Sequence, residues 1–277
     1  MASTAARDAI SQAADRWNAT TDVVLSRSPR ATVQRGGLDG DRPIVLKYVE
    51  SPAGYAAEIA GLKHLAESGV AVRLLAQADD LRVMQLEYIP GAQADDDDLA
   101  RALVRLLAFE AAGPPDHFAP LVERISDAFL LSQQRLDLDH NALGRHLSKA
   151  LQQGQSQAEM LARDRGRFGM VHGDLQHKNV LRRPTLDDHQ VVVIDPMPHA
   201  GDRTFDAIDY IANRATSKID IVQRVEHLST AAPELDADRA LAWVRACSPV
   251  LAASRLGERA TDQAGLYQLE LHFCGIS

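Results

Sequence analysis

Three residues in this sequence are suited by type and spacing to act on one substrate: Asp174, Asn179 and Asp195. The first two fall in Val171-His172-Gly173-Asp174-Leu175-Gln176-His177-Lys178-Asn179-Val180-Leu181, and the third ends the apolar run Val191-Val192-Val193-Ile194. A carboxylate followed five residues later by an amide, in a loop feeding a short strand, suits phosphoryl transfer. The carboxylate accepts a hydroxyl proton, and the amide oxygen takes a magnesium ion. Asp195 is expected to return beside that loop through a hairpin, and hard oxygens from two adjacent loops suit magnesium carried by a nucleotide. His172 is expected to orient the loop through hydrogen bonds, as the first residue of an H-x-D-x-x-x-x-N pattern does. Asp and Asn are also common in turns, so the pattern gains its weight from the residues that accompany it.

Lys47 is the first of those. It sits in Ile44-Val45-Leu46-Lys47-Tyr48-Val49, whose β-branched content reads as a strand covered on both faces. Alternation puts Lys47 on one face with Val45 and Val49. Ser51-Pro52 then starts a helix, with serine as cap and proline at its first position. Glu58 lies in the second turn of that helix, where it can pair with Lys47 and hold the ammonium against nucleotide phosphates. Two strands are expected at Val70–Leu75 and Arg82–Tyr88, the second ending in Glu87-Tyr88-Ile89-Pro90-Gly91. The main chain at Glu87, Tyr88 and Ile89 is placed to hydrogen-bond an adenine. Before Lys47, residues 1–20 read as a leading helix, Ala31–Arg35 as a strand, and Gly36, Gly37 and Gly40 as a hairpin turn. Ser26–Gln34, the candidate phosphate-covering segment, carries serine, threonine and proline where other kinases carry glycine. The rest of the chain is helical in pattern, over 95–110, 118–135, 141–163 and from 206 onward, interrupted by the block 170–195.

Three stretches now resemble a known family. They are LKYVESPAGYAAEIAGLKHLAESGVAVRLLAQADD with MQLEYIPG, then VHGDLQHKNVL, then VIDPMPHAGDRTFDAIDYIANR, together covering roughly residues 44–91 and 170–214. The chain is similar to the aminoglycoside phosphotransferases of the protein-kinase-like fold, most of all to their streptomycin and hydroxyurea kinase branch. That branch pairs I-D-P with a downstream G-D and F-D and closes on Asn-Arg. The resemblance implies an α+β, two-lobed fold with ATP between the lobes: a small β-rich N-lobe with one key helix (1–90) and a larger helical C-lobe (91–277). It implies Asp174 as catalytic base, Asn179 and Asp195 as Mg2+ ligands, and Lys47 with Glu58 as the phosphate-positioning pair. It also implies Asp206 as a brace for the catalytic loop, although a helix cap reads equally well there. Asp202 is a weaker candidate. The implied acceptor is a hydroxyl of a small-molecule antibiotic, with a metabolic hydroxyl compound as the alternative.

Composition excludes more than it selects. The chain has 277 residues and a formal net charge of −8, which argues against a nucleic-acid partner. No apolar run is long enough for a membrane span, and the N-terminus does not read as a secretory signal. A cytoplasmic monomer or weak dimer is expected. Cys247 and Cys274 read as free thiols without metal spacing. The run Asp95–Asp98 reads as acidic residues favoured at a helix N-terminus. Asp209, Asp262 and Glu270 are carboxylates of the helical part that might line an acceptor site, with nothing to choose among them. Two rival classes are a metal-dependent phosphoesterase, which requires further His-bearing motifs absent from the sequence, and a silent nucleotide-binding protein.

Overall fold

The computed structural model describes residues 4–38, 42–109, 117–136, 142–164, 166–186 and 188–257. The chain condenses into two compact units, one of residues 1–98 with 177–197 and one of residues 99–176 with 198–277.

The first unit is built on an antiparallel sheet of β1 (Ala19–Arg27), β2 (Ala31–Leu38), β3 (Arg42–Val49), β4 (Leu74–Ala78) and β5 (Val83–Glu87), in the order β1-β2-β3-β5-β4. Two helices cover its faces. The leading helix α1 (Thr4–Arg16) buries Ala6, Ile10, Ala13 and Ala14 against Ile44, Leu46, Tyr48 and Val83. The second helix, α2 (Pro52–Leu65), buries Tyr55, Ile59 and Leu62 on the other face, against Val49, Met84 and Leu86. Because β3 alternates and both faces are covered, its run of apolar residues leaves a polar side chain only where a partner exists. Lys47 is that side chain. Ser51 caps α2 as expected, its hydroxyl accepting from Gly54 N at 3.2 Å.

Two sequence expectations change here. Residues 19–27 form an edge strand, β1, rather than the end of the leading helix. Its exposed Val23, Val24 and Leu25 give no alternating pattern, so the strand had no hydrophobic signature. Gly36 and Gly37 lie inside β2, opposite Ile44 and Pro43, and not in a turn. A Cβ on Gly36 would stand 2.0 Å from Thr20 O, so the glycine permits close approach of β1. Gly40 lies outside the described residues. The strand expected from Val70 begins at Leu74; Ala71 instead makes an isolated bridge to Val193.

The hairpin of β7 (Val180–Pro184) and β8 (His189–Val193) belongs to this unit, and residues 91–94 run alongside β7. Ala94 N donates to Val180 O at 3.2 Å, and Arg182 N to Ala92 O at 3.2 Å. Gly91 is required at this approach, since a Cβ there would lie 1.5 Å from Arg182 O. The acidic run is more than a helix start. Helix α3 (Asp96–Ala108) opens with a reciprocal cap, Asp98 N to Asp95 Oδ1 at 3.0 Å and Asp95 N to Asp98 Oδ2 at 3.3 Å. Arg182 pairs with both Asp95 and Asp98, and His189 Nε2 lies 2.6 Å from Asp98 Oδ1. The run therefore ties the hairpin to the start of α3. Burial opposes charge on Asp98, yet His189 and Arg182 overcome it and hold the carboxyl well below its usual range.

The second unit is mainly helical. It contains the rest of α3 with α4 (Leu121–Leu136), α5 (Ala142–Arg163), α6 (Ile208–Ala212), α7 (Lys218–Ala231) and α8 (Ala237–Gly257). Its one ladder is β6 (Phe168–Val171) with β9 (His199–Asp202). Leu121, Ile125 and Phe129 of α4, Leu147 and Leu151 of α5, and Trp243 of α8 share one buried core. Trp243 Nε1 donates to the fully buried Asp202 at 2.6 Å, and Arg239 pairs with the same carboxylate. Asp202 is thus a structural anchor for α8. No described helix is long and apolar enough to cross a membrane.

Candidate active site

Within the first unit, Lys47, Glu58 and Asp195 come together. Lys47 Nζ lies 2.6 Å from Glu58 Oε1 and 3.0 Å from Asp195 Oδ1. The Lys47 and Glu58 side chains are 6% and 9% exposed, whereas Asp195 is 41% exposed. One cation held by two carboxylates leaves this cluster one negative charge in excess. Burial draws the Lys47 ammonium down, but Glu58 and Asp195 outweigh it and the net direction is up. Burial pushes the Glu58 carboxyl up to about 6, with Asp195 adding to the rise and Lys47 opposing it. Asp195 has φ 55°, a left-handed conformation that is unfavourable for a residue with a Cβ and recurs at functional sites.

Asn179 is brought to the same place by the hairpin. Its carbonyl accepts from Ile194 N at 2.9 Å, one residue before Asp195, and the residue is buried at 3% exposure. An amide and a carboxylate on adjacent strand ends are the donor set that magnesium takes when nucleotide phosphates and water supply the rest. Lys47 faces Val33 across β2 and β3, and Val33 faces Ser26 across β1 and β2. Residues directly opposite one another share a sheet face, so Ser26 and Val33 lie on the Lys47 face. The turn joining β1 to β2 is closed by Ser28, whose Oγ accepts from Arg30 N at 3.2 Å and Ala31 N at 3.1 Å.

Glu87 differs from expectation in its side chain. Its carboxylate accepts from Arg73 N and Arg73 Nε, each at 2.9 Å, and pairs with Arg183, while its N–H donates to Arg73 O. That leaves little of Glu87 for a nucleotide. The main chain of Tyr88 and Ile89 follows directly.

The second unit holds Asp174 and His172. Both loop amides that precede the base are fixed by Asp206: His172 N donates to Oδ2 at 2.7 Å and Gly173 N to Oδ1 at 2.9 Å. Asp206 is 7% exposed, and burial raises its pKa against the pull of His172 and these two donors. It sits in the 3-10 turn Arg203–Ala207, whose cap is supplied by Asp202, accepting from Thr204 N at 3.1 Å. The His172 ring is 1% exposed, with Asp174 N 3.4 Å from its Nδ1. This is a positioning contact. Gln176 Nε2 donates to Asp174 Oδ1 at 2.8 Å.

Residues that sequence reasoning did not single out complete both parts. In the first unit His177 Nε2 lies 2.6 Å from Asp96 Oδ1, anchoring the turn before Asn179. In the second, Arg124 of α4 donates through Nε to Gly173 O at 3.0 Å, and its Nη2 lies 3.9 Å from Asp174 Oδ1. An arginine in the second turn of an amphipathic helix carries no local signal of such a role. The tie from His177 to Asp96 spans 81 positions and cannot be inferred from spacing. Of the three acceptor-side carboxylates considered, Asp209 lines a pocket with Asp174, whereas Asp262 and Glu270 lie outside the described residues.

Comparison with known proteins agrees with this geometry. The fold aligns with choline kinase LicA from Streptococcus pneumoniae at TM-score 0.62 and 13% identity, covering 98% of each chain. A thermostable mutant of aminoglycoside phosphotransferase APH(4)-Ia gives 0.61 and 15%, over 96% of this chain and 98% of that one. A choline/ethanolamine kinase family protein from Mesorhizobium loti gives 0.60 and 14%, over 99% and 94%. No curated protein sequence matches the chain significantly. An α+β, protein-kinase-like fold with a lysine–glutamate pair and paired loop oxygens defines the class of small-molecule kinases. Within that class the chain belongs to the aminoglycoside/hydroxyurea antibiotic resistance kinase family, whose profile matches residues 16–259.

Proposed function

We propose that this protein transfers the γ-phosphoryl group of ATP to a hydroxyl of a small-molecule antibiotic, of the streptomycin or hydroxyurea kind, and so inactivates it. The observation that carries this reading is Lys47 held between Glu58 at 2.6 Å and Asp195 at 3.0 Å. A buried ammonium fixed between two carboxylates is preorganised for phosphate oxygens, and one of those carboxylates is exposed enough to serve a metal as well.

Residues 1–90 are assigned to clamping the nucleotide, with Lys47 and Glu58 on its phosphates and the main chain from Glu87 to Ile89 on its adenine. The helical remainder of 91–277 is assigned to the acceptor. Asn179 and Asp195 are the residues that would hold Mg2+, which supplies charge neutralisation at the phosphates. Asp174 receives the proton of the acceptor hydroxyl as that oxygen bonds to phosphorus and the bond to ADP breaks. Asp206, His172 and Arg124 keep the loop carrying Asp174 in place. Catalysis on this account is positioning and charge stabilisation.

The test is a screen with labelled ATP and magnesium over antibiotics and common hydroxyl metabolites, run on wild type and Asp174→Ala. The variant is expected to fold and to bind nucleotide while losing transfer. Near-normal turnover by Asp174→Ala refutes the assigned base.

A further inference from the structure

Beside Asp174 the second unit opens into a pocket of about 570 Å3, its mouth included, walled by α4, α6, α8 and the loop of the base. That size falls in the range of small-molecule sites. Most of its wall is apolar: Ile125 and Phe129 from α4, Phe205, and Val250 with Leu251 from α8. Cys247 adds to this wall as a neutral thiol, burial having pushed it up to about 12.

The charged groups are few and differently employed. Asp206 has both oxygens engaged by His172 N and Gly173 N. Arg124 brings a guanidinium to the rim beside the base, 19% exposed. Among the described residues its one hydrogen bond is from Nε to Gly173 O. A guanidinium has five N–H donors, so those on its two terminal nitrogens remain for a ligand. Asp209 is the other carboxylate of the described wall.

Resting on the kinase reading above, we infer that this pocket receives the acceptor and that Arg124 is its specificity-determining residue. The acceptor class is a compact alcohol with an apolar body and a second oxygen, hydroxyl or carbonyl, beside the reacting hydroxyl. Arg124 takes that second oxygen while Asp174 faces the reacting one. A cation at the reacting end is disfavoured, because it would meet the guanidinium. The apolar wall gives the hydrocarbon body a place out of water and offers nothing to a densely hydroxylated or aminated sugar ring.

The test uses the full chain with Mg-ATP and two probes, 1-phenylethane-1,2-diol and the polycationic aminosugar neomycin. Phosphorylation is followed by ADP release and 31P NMR, and binding by saturation-transfer NMR with Mg-ADP present. The diol is expected to bind through its ring and to be phosphorylated with at least tenfold higher kcat/KM than neomycin. Arg124→Met is expected to raise KM for the diol at least tenfold while KM for ATP stays within twofold, and Arg124→Lys to recover part of the loss. Preference for neomycin, no ring saturation by the diol, no phosphorylation of it, or an unchanged diol KM in Arg124→Met each overturns the inference. If Arg124→Met does not fold, Ala128→Leu fills the pocket from α4 without touching Gly173, and an unaltered diol KM there is equally fatal. Diol phosphorylation that persists in Asp174→Asn refutes the kinase reading instead, and ring saturation still reports whether the pocket takes the diol.

Discussion

Replacing Glu58 with glutamine separates what the buried pair does for stability from what it does for chemistry. The Glu58 carboxyl is raised from 4.5 to about 6 in the folded protein. At about 1.4 kcal/mol per pH unit, keeping it ionised at pH 7 costs the fold about 2 kcal/mol. Glu58→Gln removes that cost and forfeits one charge-assisted hydrogen bond to Lys47, worth about 1.5–3 kcal/mol. Lys47 is not orphaned, since Asp195 remains 3.0 Å away. The two changes nearly cancel, so stability at pH 7 should shift by no more than about 1 kcal/mol. Activity should not cancel. With Glu58 neutral, Lys47 is drawn to Asp195, the residue assigned to the metal, and the lost contact corresponds to about 10- to 150-fold in kcat/KM for ATP.

The pH dependence supplies an internal check. A carboxyl whose folded pKa lies above its unfolded value contributes stability that is complete below the unfolded pKa, and it is lost as pH rises through the folded pKa. Urea unfolding of wild type and Glu58→Gln at several pH values should therefore show the wild type losing about 2 kcal/mol relative to the variant between pH 4.5 and 7. A difference that stays constant over that window refutes the reasoning. So does a variant destabilised by more than about 3 kcal/mol at pH 7, or one with normal ATP kinetics.

Asp206→Asn leaves one buried N–H, of His172 or Gly173, facing an amide that cannot accept from it. A loss of about 1–3 kcal/mol in urea unfolding is expected, with kcat reduced and ADP affinity retained. Gly91→Ala drives a methyl into Arg182 O, 1.5 Å from the ideal Cβ, and should lower stability by about 3 kcal/mol in thermal unfolding. His189 is raised by Asp98, with Asp188 assisting and burial opposing, so its stabilisation holds below about pH 6.5 and is lost as pH rises through its folded pKa. Melting temperatures of His189→Gln, compared with wild type from pH 6 to 9, should show that this loss is missing in the variant.

The sequence made legible those parts whose signal is local. The cap at Ser51, the helix it starts and the strand around Lys47 follow from composition and alternation, and they place Glu58 beside Lys47. The hairpin returning Asp195 to Asn179 follows from two apolar runs with a turn between them. The Asp95–Asp98 run was read as a helix start, which is correct as far as it goes. Its ties to Arg182, His189 and His177 depend on partners 81 to 91 positions away, beyond the reach of any periodicity. β1 escaped notice because an edge strand with both faces wet has no alternation to detect. Gly36 was misread because glycine marks close backbone approach as often as it marks a turn.

The hairpin 177–197 packs with residues 1–98, so the first unit is interrupted in sequence by most of a second one. On a ribosome, the five-stranded sheet emerges long before the strands that bridge to Ala71 and line residues 91–94. At about 5–20 residues per second, the roughly one hundred intervening residues take about 5–20 s to synthesise. During that wait the Lys47–Glu58 pair lacks Asp195, and apolar surface around Val72 and Leu86 has no Val192 to cover it. Nascent chains of this architecture are consequently most exposed to chaperones and proteases midway through translation, and they complete the phosphate-binding cluster only when the second hairpin strand has left the tunnel.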